Sequence, residues 1–140
     1  MLNFQSGICL DINSSGDVVQ ATCDGSASQN WQWGGIDISR GEYSFHQIIN
    51  SNGECLGVSG DSTAEGARAD VAACSGNADQ YWESLTYFTI CEQGETEYYL
   101  LENEASDYFL SVVGDSNSSG ASVDLEETQS GCTTQYWWLQ

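Results

Sequence analysis

The sequence predicts an all-β fold of twelve short strands with pseudo-threefold symmetry, on three observations. A glutamine stands two residues before a tryptophan three times, in Gln29-Asn30-Trp31, Gln80-Tyr81-Trp82 and Gln135-Tyr136-Trp137. Upstream of each lies a matching block: Cys9-Leu10-Asp11-Ile12, Cys55-Leu56-Gly57-Val58 and Phe109-Leu110-Ser111-Val112. Between these landmarks, short alternating apolar runs are separated by Gly, Ser, Asn and Asp clusters, the pattern of strands and turns. A period of about fifty residues recurring three times predicts one domain, residues 1-140, with copies at approximately 1-41, 42-93 and 94-140. No copy is apolar enough to fold alone, so the three must share a core.

The first copy is the shortest, with Asn13-Ser14-Ser15-Gly16-Asp17 in place of the longer loop of the others. In the second, strands are expected at residues 44–49, 55–58, 69–73 and 81–85. Residues 62–73 are rich in alanine, but Gly60, Gly66 and Asp70 make that stretch a loop followed by a strand. The third copy repeats the second without a gap across its centre. Gly60-Asp61-Ser62 recurs as Gly114-Asp115-Ser116, Gly66-Ala67 as Gly120-Ala121, and Asp70-Val71 as Asp124-Leu125. Each Gly-Asp-Ser predicts a turn closed by an Asx bond to the backbone.

Six cysteines allow fifteen connectivities, and the repeat narrows them. Cys9 and Cys23 bracket the early part of the first copy, and Cys55 and Cys74 occupy the same places in the second. Phe109 and Thr128 stand there in the third, so the pair is lost as a pair. Joint loss predicts Cys9–Cys23 and Cys55–Cys74, each worth about 3 kcal/mol through loop entropy. Cys91 and Cys132 then form the remaining pair. Zinc is disfavoured, because no C-x-x-C spacing occurs and His46 is the only histidine.

Arg40 and Arg68 face 21 acidic residues, a formal charge of −19 without a lysine. Such a surface repels phosphate, so neither nucleic acid nor an anionic membrane is an expected partner. The acid also serves solubility, and any glycan partner should be neutral or amino-bearing. No apolar run is long enough for a transmembrane segment. The start, Met1 to Leu10, lacks the charged and apolar regions of a signal peptide. Paired cysteines nevertheless predict a secreted, extracellular protein, of which this chain is expected to be one piece.

The repeated Cys-Leu-Asp-Ile-type block, the Gly-Ala turn, the second cysteine and Gln-x-Trp resemble the ricin B-chain-like lectin domain, carbohydrate-binding module family thirteen. The resemblance covers the whole chain. It implies a β-trefoil, with six strands in a barrel and six in hairpins closing one end. It implies that Trp31, Trp82 and Trp137 fill the core while their glutamines anchor nearby backbone. It also implies a glycan partner, a mono- or oligosaccharide, with no cofactor, metal or catalytic residue, in a module adjoining a domain of a secreted hydrolase or toxin.

Such domains bind sugar with an aspartate after Cys-Leu, a polar residue four before the second cysteine, an aromatic two before it, and the residue preceding Gln-x-Trp. A carboxylate accepts hydroxyl protons and a ring stacks on the apolar sugar face. Carried over, the first copy offers Asp11, Gln20, Ser28 and Gln29, with Ala21 or Thr22 at the aromatic place. The second offers Asp70, Asp79 and Gln80, but has Gly57 for the aspartate and Ala72 for the aromatic. The third offers Asp124 and Gln135, with Ser111, Glu126 and Thr134 at the other places.

Every pocket thus departs from the pattern, and two readings follow. In one, the pockets are rebuilt with Asp61 and Asp115 and with a platform from Tyr43, Tyr81, Tyr98 or Tyr108, for neutral or galactose-type glycans. In the other, the trefoil has lost sugar binding and serves as a structural or docking module.

Other chemistry is weaker. Residues 11–17 imitate the opening of an EF-hand loop, but its twelfth position is Thr22, not the bidentate glutamate. Carboxylate pairs such as Glu126-Glu127, or Glu102 and Glu104, carry no hydrolase signal in so acidic a chain. His46 has no nucleophile motif around it. Asn13 and Asn117 sit in N-x-S contexts.

Overall fold

Short apolar runs bounded by turn residues become strands throughout the computed structural model, which describes residues 1–34, 38–85 and 91–139. The first part of the chain forms β1 (Leu2–Asn3), β2 (Cys9–Ile12), β3 (Val18–Ala21), β4 (Trp31–Trp33) and β5 (Ile38–Arg40). Next come β6 (Tyr43–Phe45), β7 (Ile48–Asn50), β8 (Glu54–Val58), β9 (Ala69–Ala73), β10 (Trp82–Leu85) and β11 (Cys91–Gln93). The last four are β12 (Thr96–Asn103), β13 (Phe109–Val112), β14 (Val123–Glu126) and β15 (Tyr136–Trp138). Four single 3-10 turns, Ala27–Gln29, Ser59–Asp61, Ala78–Gln80 and Val113–Asp115, are the only helical elements among the described residues.

The fold is a β-trefoil. The hairpins β2/β3, β8/β9 and β13/β14 are its caps, and β1, β4, β7, β10, β12 and β15 supply the barrel strands. The first and last strands meet, with Leu2 opposite Trp138 and Asn3 opposite Trp137, so the barrel closes through the chain ends. Among the described residues fifteen strands stand where twelve were expected, β5, β6 and β11 being additions. The expected run 44–49 breaks in two: β6 pairs outward with β5, whereas β7 pairs with β4 and β8. Gln47 lies at the break and donates its amide to Ser75 O at 2.8 Å. In the third copy the equivalent strand is unbroken, and β12 pairs with β10, β11, β13 and β15.

The three repeats meet in one core. Trp31, Trp82 and Trp137 are buried together with Leu10, Leu56 and Leu110. Each indole Nε1–H donates to the carbonyl of its own copy's leucine: Leu10 O at 3.0 Å, Leu56 O at 3.0 Å and Leu110 O at 2.9 Å. The rings therefore bury a large apolar surface without leaving a donor unpaired. Disulfides Cys9–Cys23 and Cys55–Cys74 close the first two hairpins, and Cys91–Cys132 ties β11 to the segment before β15.

Candidate functional site

Hairpin register decides which residues can share a site. Asp11 lies opposite Val19, Gly57 opposite Asp70 and Ser111 opposite Asp124. Packed on the first two hairpins are the 3-10 turns that carry Ser28 and Asp79. Three related sets result: Asp11 and Ser28 with Val19, Gly57 with Asp70 and Asp79, and Ser111 with Asp124 and Thr134.

In the first set, Asp11 is half-buried. Its Oδ1 accepts the Ile12 N–H at 2.7 Å and its Oδ2 the amide of Gln29 at 3.1 Å. The Ser28 hydroxyl pairs with that of Ser26 at 3.0 Å. Gln20 does not join them, because the register places Val19 opposite Asp11 and turns Gln20 inward. Fully buried, Gln20 donates to Ser116 O and Ser118 O and accepts from the Ser6 hydroxyl. A short loop shifts the side-chain parity, which sequence alignment across the gap could not resolve.

The second set has exchanged its carboxylate. A Cβ at Gly57 would stand 2.7 Å from Asp79 Oδ2 and 3.7 Å from Asp70 Oδ1, so Asp79 fills the space of a residue-57 side chain. Asp79 Oδ2 accepts the Val58 N–H at 3.1 Å, the donor equivalent to Ile12 N–H. Asp79 Oδ1 is buried without a hydrogen-bond partner. Burial, more than anything else, raises the pKa of Asp70 and of Asp79; Asp79 and Asp61 add to it at Asp70, while at Asp79 the Val58 N–H opposes it and Asp61 adds.

In the third set, Ser111 is fully buried and its hydroxyl lies 3.4 Å from Glu126 Oε2. Asp124 is pushed up to about 6 by burial and by Glu126, against the pull of Arg68, whose Nη1 is 3.8 Å from Oδ2. Thr134 donates its hydroxyl to Asp115 Oδ1 at 2.8 Å.

The Gly-Asp-Ser segments are tight turns in which both glycine and aspartate are left-handed, Gly60 and Gly114 at φ 66° and 63° and Asp61 and Asp115 at φ 52°. Asp115 spends its carboxylate on Thr134 rather than on the expected backbone bond. Of residues 11–17, Asp11 and Ile12 end β2 and residues 13–17 form the β2/β3 turn, where Asn13 Oδ1 accepts the Ser15 and Asp17 N–H groups. Among the described residues no group of three or more His, Cys, Asp or Glu is placed to hold a metal ion.

Gln29, Gln80 and Gln135, expected among the sugar-binding residues, are buried and bonded to backbone. Their amides donate to Thr22 O, Ala73 O and Glu127 O, and their carbonyls accept from the N–H groups of Asp24, Ser75 and Gln129. Each pins the end of its hairpin to the turn before the tryptophan. Of the tyrosines considered as platforms, Tyr81 and Tyr98 are buried and Tyr108 packs on the core, whereas Tyr43 is 46% exposed. Ala21, Ala72 and Glu126 leave the aromatic place of each hairpin without a ring.

A threefold set of asparagines escaped the sequence reading. Buried Asn50, Asn103 and Asn3 donate their amides to the carbonyls of Ser28, Asp79 and Thr134 at 2.9, 2.7 and 2.7 Å. Their carbonyls accept turn N–H groups of Gln5 and Ser6, Asn52, and Ala105. Each therefore fixes the residue before a Gln-x-Trp from the neighbouring copy. The signal was an asparagine five or six residues before each Cys9-type position, disguised as a turn former.

A family model described as "Ricin-type beta-trefoil lectin domain-like" matches residues 28–126. No curated protein matches significantly in sequence. Among solved structures, the designed threefold-symmetric protein ThreeFoil is similar over 99% of this chain and 95% of its own, at 25% identity and TM-score 0.80. The exo-β-1,3-galactanase 1,3Gal43A of Clostridium thermocellum is similar over 99% of this chain and 28% of its own, at 24% identity and TM-score 0.79. The Macrolepiota procera ricin B-like lectin, solved with lactose, is similar over 98% and 89%, at 19% identity and TM-score 0.70.

Proposed function

The chain belongs to the ricin-type β-trefoil lectin domain-like family, and on that premise we propose that it is a carbohydrate-binding module for neutral or galactose-type glycans. One observation carries the proposal. Asp11 in the first copy and Asp79 in the second hold a carboxylate on equivalent backbone N–H groups, Ile12 and Val58, although Asp11 comes from strand β2 and Asp79 from the Ala78–Gln80 turn. An exchange that keeps the acceptor while moving its source is what retention of a hydroxyl-binding group requires. We assign the first site to Asp11 and Ser28 and the second to Asp70 and Asp79, with Asp124 as the carboxylate of a third.

The three Gln-x-Trp segments support placement in carbohydrate-binding module family thirteen, as one trefoil over residues 1-140. Three disulfides fit an extracellular protein. The galactanase, in which the similar region is 28% of the chain, is a precedent for attachment to a hydrolase. In this reading the module binds and a neighbouring domain performs any chemistry.

A glycan array of neutral galactosides and amino sugars, run with and without calcium, tests the proposal. Saturable binding is expected. Its absence at millimolar ligand favours the second reading, a structural or docking module, to which the missing rings at Ala21, Ala72 and Glu126 point.

A further inference from the structure

A further cavity lies away from these sites. It measures about 460 Å³, the size of a small-ligand pocket, and is lined by Tyr43, Phe45, Glu83, Leu85, Glu102, Asp107, Phe109 and Thr128. Phe109 and Thr128 occupy the two places that hold a disulfide in the other copies. The cavity thus opens where the third copy lacks its cystine, between β6 on one side and β10, β12 and β13 on the other.

Its walls combine two chemistries. Tyr43 presents an exposed ring, backed by Phe45, Leu85 and Phe109. Against them stand three carboxylates. Glu83 and Glu102 are directly opposite each other across β10 and β12, an arrangement that like charges disfavour. One oxygen of Glu83 accepts the Ser44 N–H at 3.4 Å; the other is buried with no hydrogen-bond partner. Asp107, held at φ 58°, adds its field to Glu102. Arg40 is paired with Glu104 and Arg68 lies beside Asp124, so neither arginine neutralises this group.

We propose that this cavity binds a sugar bearing a free amino group, its ammonium between Glu83 and Glu102 and its apolar face on Tyr43. The ammonium places a full positive charge between the opposed glutamates, where His46 already acts favourably on Glu83, and the ring supplies the stacking surface absent from the aromatic places of the hairpins. A neutral or N-acetylated sugar brings no charge to the opposed glutamates or to the buried Glu83 Oε2.

Titration calorimetry of the whole chain at neutral pH and low salt, with glucosamine, N-acetylglucosamine and glucose as probes, tests this. Glucosamine should bind saturably and the other two at least about tenfold more weakly. Glu102→Gln and Tyr43→Ala should each weaken glucosamine at least about fivefold, corresponding to roughly 1 kcal/mol. Glu102→Gln relieves a like-charge pair, so lost binding in that variant will not reflect unfolding; its thermal midpoint checks this. Asp11→Ala and Asp79→Asn should leave glucosamine binding unchanged, which separates this cavity from the galactoside sites. Equal binding of the three sugars, no saturable glucosamine binding, or indifference to Glu102→Gln would overturn the proposal.

Discussion

At the residue scale, buried amides organise the sites as much as the tryptophans do. Asn103 donates to Asp79 O and receives the Ala105 N–H, so its removal leaves a buried carbonyl and a turn donor unpaired. Asn103→Ala should cost about 2 kcal/mol or more, read as a lower denaturant midpoint at unchanged m-value. A loss below about 0.5 kcal/mol would mean that the bond carries no load. Trp137→Ala should cost about 3–5 kcal/mol by the same measurement, since the ring is fully buried. The tryptophans were legible because a large aromatic recurring in register is a core signature. The asparagines were not, because an asparagine among Ser, Asn and Gly reads as a turn. Nor was the Asp79 exchange, which joins Gly57 to a residue more than twenty positions away only once β8 and the Ala78–Gln80 turn are packed together.

At the element scale, the opposed glutamates of β10 and β12 are a local conflict within a sheet that is otherwise self-consistent. Burial first, then Asp107 and Glu83, pushes Glu102 up to about 7. A carboxyl raised above its unfolded value contributes stability below the unfolded pKa and loses it as pH rises through the folded one. At pH about 8, therefore, Glu102→Gln should raise the thermal midpoint, and at pH about 4, below the unfolded pKa, the difference from wild type should nearly vanish. A midpoint lowered at the higher pH would contradict the assignment. The hairpins and cysteine pairs were visible in the sequence, because repeat positions identify partners that spacing alone leaves ambiguous. The break between β6 and β7 was not, since nothing in Ser44-Phe45-His46-Gln47 interrupts the alternation.

For the whole molecule, charge sets the pH response. Asp70, Asp79 and Glu83 are raised mainly by burial, and Asp124 stands at about 6, so the folded chain holds more protons than the unfolded one in mildly acid solution. Asp24 moves the other way through its bonds from Ser26 but is a single exposed group. The thermal midpoint should rise as pH falls from about 8 to about 5, and added salt should raise it at the upper end by screening the net −19 charge. A midpoint that falls over that range would contradict this balance. The trefoil was legible throughout, because its symmetry is written three times; the sites were legible only in part, because a carboxylate moved from a hairpin strand to the turn packed on it while the symmetry stayed.

The central claim is that Asp11 and Asp79 play one role in two copies. The stoichiometry of galactoside binding tests it most directly, by calorimetric titration of lactose into wild type, Asp11→Ala, Asp79→Asn and the double variant. One site fewer than wild type in each single variant and two fewer in the double are predicted, the Asp124 site being untouched in all of them, with Asp70→Ala behaving as Asp79→Asn does. Unchanged stoichiometry and affinity in both single variants would contradict the account.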